Sequence, residues 1–331
     1  MPDMTAPDMQ FPAKDRMRIC FAHAAYDMKP IFDRLCPGIA TVQVTDYAAL
    51  KANVPEADVL VVSGLWQNEL LDHAPRLKYL QSVSAGLNQY DLARFRQRGI
   101  LLASGHGVNA NAVSDHAMAL LLSLTRRIAS ARDNQQDQVW RPMQSNPAER
   151  EIELPGTTML LVGLGRIGNR VARLARAFGM HVIGVRRDAA AGPGDAHEVH
   201  PFTALNALIP KADVVVLCCP LTEETRHIIG RTALAAFKPT AFLVNVARGG
   251  CVDEAALIEV LKANRIAGAG LDVTETEPLP ATSPLWTLPN VMLTPHAAGE
   301  TEKYEINVID VLRQNLDRLW SGNTALVNRA A

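Results

Sequence analysis

Residues Thr158-Met159-Leu160-Leu161-Val162-Gly163-Leu164-Gly165-Arg166-Ile167-Gly168 form a short apolar run that breaks into G-x-G-x-x-G. A helical pattern, Asn169 to Met180, follows without a gap, and a second apolar run, His181-Val182-Ile183-Gly184-Val185, comes next. Strand, tight turn, helix and strand make a βαβ unit that carries a dinucleotide fingerprint. Gly163 permits the turn, Gly165 lets backbone approach a pyrophosphate, and Gly168 lets the helix pack close to the strand. The helix opening at Arg166 and Ile167 offers free N–H groups and a positive dipole end to the phosphates. Gly163, Gly165, Arg166, Ile167 and Gly168 are therefore the first expected cofactor contacts.

The same alternation runs both ways from this point. Upstream, strand-like runs stand at Met17–Phe21, Thr41–Thr45, Asp58–Val62, Tyr79–Val83 and Ile100–Ala103, with helical stretches at Ile31–Leu35, Tyr47–Asn53 and Leu92–Arg98. Downstream, strands are expected at Met159–Val162, His181–Val185, Val214–Cys218, Phe242–Asn245, Ala267–Val273 and Val291–Leu293, and a final amphipathic helix at Glu302–Trp320. Between the series lie one long helical run, Asn111–Arg132, and an irregular stretch, Val139–Pro155, with three prolines. Repeated β-then-α units predict an α/β protein of two doubly wound parallel-sheet domains.

Composition narrows the class. A chain of 331 residues, 48% apolar and 20% charged, has the make-up of an ordinary globular protein of two domains. A net charge of −1 gives no electrostatic case for nucleic acid or an anionic membrane, and no apolar run approaches a membrane span. Met1–Arg16 lacks the pattern of a secretory signal and reads as a disordered lead-in. The five scattered cysteines form no metal-ligand cluster; Cys20, Cys218 and Cys219 fall in or beside apolar strands and read as buried thiols of a reduced cytoplasmic protein.

Three clusters carry chemistry, each at an expected strand end: Asn245-Val246-Ala247-Arg248-Gly249-Gly250, Leu271-Asp272-Val273-Thr274-Glu275-Thr276-Glu277-Pro278-Leu279, and Thr294-Pro295-His296-Ala297-Ala298-Gly299. Ligands of open α/β sheets bind outside the carboxyl ends of strands, so these clusters offer Arg, Glu and His to one crevice. A ketone under reduction gains a hydride at carbon and a proton at oxygen. Histidine is the side chain whose ordinary range allows it to give and take a proton near neutral pH, so His296 suits that role. A carboxylate on its other ring nitrogen would fix the tautomer, and Glu275 and Glu277 both stand within reach along the chain. Arg248 offers a planar fork to a 2-keto acid carboxylate. Asp253 reads as a helix cap, and His23, His73, His106 and His116 as structural residues. Trp66 and Trp286 read as packing residues, and the Gly64–Trp66 and Ser84–Asn88 loops as the limits on substrate size.

Together the clusters resemble the D-isomer-specific 2-hydroxyacid dehydrogenases, over nearly the whole chain. Ser82-Val83-Ser84-Ala85-Gly86-Leu87-Asn88 is similar to that family's substrate-carboxylate loop, Gly107-Val108-Asn109 with His116–Leu120 to its hinge helix, and Pro220–Thr225 to a loop near the cofactor. The resemblance implies catalytic Arg248, Glu277 (the family position before Pro-Leu) and His296. It implies substrate contacts at Ser84, Ala85, Gly86, Leu87 and Arg248, and cofactor contacts at Pro220, Thr225 and Asp272, the last meeting the nicotinamide carboxamide. It implies a flavodoxin-like substrate domain at 1–106 plus 301–331 and a Rossmann domain at 107–300, with a cleft between them. Reduction of glyoxylate or hydroxypyruvate follows. Two alternatives are formate or phosphite oxidation, disfavoured by Glu277 where a Gln–His pair is expected, and a nucleotide-sensing corepressor, disfavoured by the lack of long disordered arms.

Two further expectations concern partners. NAD sites carry an acidic residue at the end of the second strand, but here Ile183-Gly184-Val185 runs into Arg186-Arg187-Asp188. Guanidinium groups bind a 2′-phosphate, so NADP(H) is expected over NAD(H), with Arg186 and Arg187 as the clamp and Asp188 as the rival reading. The long helix and the Trp140–Pro155 arm are expected to form a homodimer, Trp140 reaching the partner's site.

Overall fold

The computed structural model describes residues 11–331. In chain order the elements are β1 (Arg18–Ala22), α1 (Lys29–Leu35), β2 (Ala40–Val44), α2 (Tyr47–Asn53), β3 (Val59–Val62), β4 (Tyr79–Ser82), α3 (Leu92–Gln97) and β5 (Leu101–Ala103). They continue with α4 (Ala110–Thr125), α5 (Ile128–Gln136), β6 (Thr158–Val162), α6 (Arg166–Ala177), β7 (His181–Val185), β8 (Glu198–His200), α7 (Leu205–Leu208), β9 (Val214–Leu217), α8 (Arg231–Ala235), β10 (Phe242–Asn245), α9 (Glu254–Lys262), β11 (Gly268–Leu271), β12 (Val291–Leu293) and α10 (Tyr304–Trp320). The chain divides into two compact units, one ending at Asn109 and resumed at Thr301–Ala331, the other Ala110–Glu300.

In the first unit five parallel strands stand in the order β2-β1-β3-β4-β5, the flavodoxin-like winding. β3 (Val-Leu-Val-Val) is buried throughout, as a central strand covered on both faces must be. One face packs Phe21, Phe32 and Tyr79 against Val308, Leu312 and Leu316 of α10. The other packs Leu60, Leu80, Trp66, Tyr90 and Phe95.

The second unit holds seven parallel strands in the order β12-β11-β10-β9-β6-β7-β8. Its winding reverses between β6 and β9, which places a topological switch point beside the fingerprint turn. α4 and α6 cover one face and α8 and α9 the other.

Four expectations change. The run Asn111–Arg132 is two helices, because Arg127 adopts φ +52°. Thr125 turns its hydroxyl back onto the Leu121 carbonyl at 2.9 Å, and its own carbonyl accepts the Ile152 N–H at 2.9 Å; that tertiary bond takes the acceptor the helix would have used. The edge strand β8 escapes a search for apolar runs because its sequence is Glu-Val-His. The Met1–Arg16 lead-in falls partly outside the described residues, but from Phe11 onward it is tied down: the Trp320 indole donates to the Pro12 carbonyl at 3.1 Å, and Lys14–Arg16 form a 3-10 turn. Trp286 is 55% exposed, its indole donating to the Pro280 carbonyl at 3.0 Å, so it is no core residue.

Candidate active site

Every chemical cluster of the second unit lies at the carboxyl end of its sheet. Asn245, Leu271 and Leu293 stand side by side in register as the last residues of β10, β11 and β12. Arg248, Glu277 and His296 follow from these neighbouring ends, which are about 4.8 Å apart per strand. The loops are packed backbone to backbone, since a β-carbon on Gly249 would meet the Thr274 carbonyl at 1.9 Å.

His296 Nδ1 lies 2.6 Å from Glu277 Oε2. The second carboxylate oxygen accepts the Thr274 N–H at 3.1 Å, so Glu277 is held by its own turn. The pair engages Nδ1 and not Nε2, and the ring is half-exposed. The turn that carries it is unusual, because His296 has φ +55°, a conformation that costs a residue with a β-carbon about 1–3 kcal/mol. Asp272, 2% exposed, supplies the restraint. Its carbonyl accepts the His296 N–H at 2.7 Å, and its carboxylate accepts the N–H groups of Ala297 and Ala298 at 2.9 and 3.0 Å and the Thr294 hydroxyl at 2.6 Å. The sequence reading gave Asp272 a cofactor contact and did not foresee this anchoring.

Arg248 is exposed, with Nη1 on the Ala247 carbonyl at 2.6 Å. Its turn is braced by Asn245, 1% exposed, which donates to the Arg248 carbonyl at 3.1 Å and accepts from Ala247 N–H at 3.0 Å. Asn245 is a further residue the sequence reading missed; the only signal was a polar residue closing an otherwise apolar strand. Asp253 caps α9, accepting from Ala256 N–H at 3.0 Å.

The fingerprint glycines divide in function. Gly163 has φ +102°, and a β-carbon there would lie 2.7 Å from Cys219 N. One on Gly168 would lie 1.9 Å from the Gly163 carbonyl. Gly165 faces open space, and α6 starts after it, at Arg166 and Ile167, with no side-chain cap. A backbone cradle with uncapped helix N–H groups fits a dinucleotide pyrophosphate.

The remaining cofactor candidates lie on flanking strand ends. Arg186 N–H donates to the His200 carbonyl at 3.0 Å, and exposed Arg187 pairs its Nε with Glu224 at 3.1 Å. Asp188 caps the turn at Ala189–Ala191, accepting from Ala190 N–H at 3.1 Å. Pro220 and Thr225 shape one loop: buried Thr225 donates its hydroxyl to the Pro220 carbonyl at 2.6 Å. Behind it, a hydrogen bond to Cys251, with burial, raises the Cys219 thiol far above its usual range, and burial pushes Cys218 up to about 12. All five cysteines are free.

Ser84, Ala85, Gly86 and Leu87 belong to the first unit, in the loop after β4. Ser84 donates to the Gly86 carbonyl at 3.2 Å, and its own carbonyl accepts the Gly105 N–H at 2.8 Å. Trp66 is 5% exposed and packs on Tyr90 and Phe95 at 5.7 and 5.5 Å. Its ring is a core element, in line with its reading as a packing residue. Among the described residues no helix is long and apolar enough to cross a membrane, and no group of three His, Cys, Asp or Glu is arranged for a metal.

The family model for the NAD binding domain of D-isomer specific 2-hydroxyacid dehydrogenases matches residues 118–298. A glyoxylate reductase from Thermofilum pendens is 37% identical over 294 residues, covering 85% of this chain and 84% of that one. A D-3-phosphoglycerate dehydrogenase from Methanocaldococcus jannaschii is 34% identical over 278 residues, but this chain spans only 52% of its length. Among solved structures, a D-isomer specific 2-hydroxyacid dehydrogenase family protein from Aeromonas salmonicida has a TM-score of 0.82 at 29% identity, covering 96% of this chain and 99% of that one. An NADPH-dependent glyoxylate/hydroxypyruvate reductase from Sinorhizobium meliloti, solved with NADP and malonate, has a TM-score of 0.74 at 30% identity, covering 96% and 97%.

Proposed function

The chain belongs to the D-isomer specific 2-hydroxyacid dehydrogenase family, and on that premise we propose that it reduces small 2-keto acids, glyoxylate and hydroxypyruvate foremost, to 2-hydroxy acids with NADPH. The observation that carries the reading is the His296–Glu277 pair at 2.6 Å, set beside Arg248 on adjacent strand ends.

The bound dinucleotide supplies the hydride. His296 Nε2 delivers the proton to the developing alkoxide, and Glu277 keeps Nδ1 protonated and the ring oriented. Arg248 pairs with the substrate carboxylate and polarises the carbonyl; the backbone N–H groups of Ala85, Gly86 and Leu87, in the first unit, are the substrate contacts that the family resemblance implies. Gly163, Gly165, Arg166, Ile167 and Gly168 take the pyrophosphate, with Pro220, Thr225 and Asp272 along the nicotinamide half. In this reading residues 107–300 bind dinucleotide, and 1–106 with 301–331 bind substrate.

Arg186 and Arg187 take the 2′-phosphate. Asp188 is already engaged as a cap, and the exposed Arg187–Glu224 pair is too weakly held to block the exchange. We also infer a homodimer in a reducing, cytoplasmic compartment. Val139 is 53% exposed and Trp140 and Met143 are each 98% exposed, an apolar arm of the kind that marks an interface.

Steady-state kinetics with glyoxylate, hydroxypyruvate, pyruvate and phenylpyruvate, each with NADPH and NADH, tests the reading. D-3-phosphoglycerate oxidation is run beside it. No turnover of any 2-keto acid would overturn the activity. A best rate on D-3-phosphoglycerate would move the substrate to that of the longer relatives.

A further inference from the structure

His116 lies in the middle of α4, on the stretch Val113-Ser114-Asp115-His116-Ala117-Met118, and the activity above gives it no task. Its Nε2 is 2.8 Å from Thr294 Oγ1, and 3.6 Å from Asp272 Oδ1. Thr294 Oγ1 is in turn 2.6 Å from Asp272 Oδ1.

Counting protons fixes the direction of this chain. The Asp272 carboxylate also receives the N–H groups of Ala297 and Ala298, so it acts only as an acceptor. A hydroxyl has one proton, and Thr294 spends it on Asp272. Toward His116 the Thr294 oxygen can therefore only accept, and Nε2 must carry a proton. The bonds run from His116 N–H to Thr294, and from Thr294 O–H to Asp272.

Asp272 grips the His296 turn from both ends of the residue, its carbonyl on His296 N–H and its carboxylate on the next two N–H groups. Because His296 sits at φ +55°, the turn stays in place only while its surroundings over-determine it. Rotating the Asp272 carboxylate would release two of the bonds that do so. The outer end of the restraint is α4, a sixteen-residue helix packed on the sheet.

We propose that His116 is a positioning residue for His296. Through Thr294 it locks the Asp272 carboxylate, and so keeps His296 Nδ1 on Glu277 with Nε2 free for the substrate. The inference rests on His296 being the proton donor.

The test uses His116→Leu, which removes the donor; Thr294→Val, which keeps the shape and removes both bonds; and His116→Gln, which returns an N–H near the Nε2 position. Each full-length variant is measured for kcat on glyoxylate, NADPH Kd by fluorescence, and Tm. A small misplacement of a reacting group costs up to about 10²-fold, so H116L and T294V should each lose roughly tenfold or more in kcat. NADPH Kd should weaken by less than kcat falls, since Asp272 is one cofactor contact among several, and the H116L/T294V double variant should be no slower than the worse single one, because both break one chain. H116Q should recover most of the loss. A purely structural role would lower Tm and leave the kcat of the folded fraction unchanged.

Wild-type kcat in H116L or T294V, multiplying losses in the double variant, or an H116Q as slow as H116L would each overturn the proposal. If H116L does not fold, T294V and H116Q still decide it. His296→Asn is run in parallel. Retained turnover there would sink the reading of His296 as the acid, whereas its loss beside an intact H116L would sink only the role of His116.

Discussion

The His296 Nδ1–Glu277 Oε2 contact of 2.6 Å joins two turns that follow different strands, β12 and β11. The pairing occupies Nδ1 and leaves Nε2 for chemistry. His296→Asn should therefore lower kcat by about 10²–10⁴-fold while NADPH still binds. Glu277→Gln keeps the shape but removes the charge, and should cost less than removal of the acid. Steady-state rates and a fluorescence titration of NADPH check both. Near-normal kcat in the His296 variant would show that another group supplies the proton.

Arg248 reaches the site from a turn braced by Asn245. Arg248→Ala should cut kcat/KM by roughly 10²-fold or more, the worth of two charge-assisted hydrogen bonds. Arg248→Lys should recover little of it, because an ammonium lacks the planar fork. Full recovery by lysine would mean that charge alone is needed.

Arg186 and Arg187 at the end of β7 are expected to set cofactor choice. The wild type should favour NADPH in kcat/KM, and the Arg186→Ala/Arg187→Ala double variant should lose that preference through NADPH alone. A wild-type preference for NADH, or an NADPH/NADH ratio unmoved in the double variant, refutes the clamp.

The Val139–Met143 arm should be buried against a second copy. Light scattering should return twice the 36.0 kDa chain mass, and replacing Trp140 and Met143 by polar residues should shift the equilibrium toward monomer. A 36.0 kDa species across micromolar concentrations in the wild type would reject the dimer.

Gly168→Ala places a methyl 1.9 Å from the Gly163 carbonyl, so α6 must move away from β6. NADPH affinity should fall together with Tm. Gly165→Ala meets no protein atom within 4 Å; it should weaken NADPH binding and leave Tm of the cofactor-free protein near wild type. Equal Tm losses in the two variants would show that the open space at Gly165 is not a ligand cradle.

Much of this was legible along the chain because it depends on local physics. An apolar run of a few residues followed by a 3.6-residue period gives a βαβ unit wherever it stands, and G-x-G-x-x-G names the turn between them. The strands His181–Val185, Phe242–Asn245 and Val291–Leu293 agree with the sequence reading to the residue; burial on both faces gives the first two their apolar signature, while the last is a partly buried edge strand whose three residues are all apolar. Arg248, Glu277 and His296 were legible as residues placed after such strands.

What required the tertiary structure was every partnership between distant segments. That β10, β11 and β12 are neighbours follows from strand order, which no single strand encodes. The break between α4 and α5 depends on a bond from Ile152, twenty-seven positions beyond Thr125. His116 reads as an ordinary residue of a helix until the Thr294 hydroxyl, 178 positions away, is seen 2.8 Å from its Nε2. A hydrogen bond acts over about 3 Å and carries no trace of sequence distance, so a side chain's type shows what it can do, and only the packed chain decides what it does.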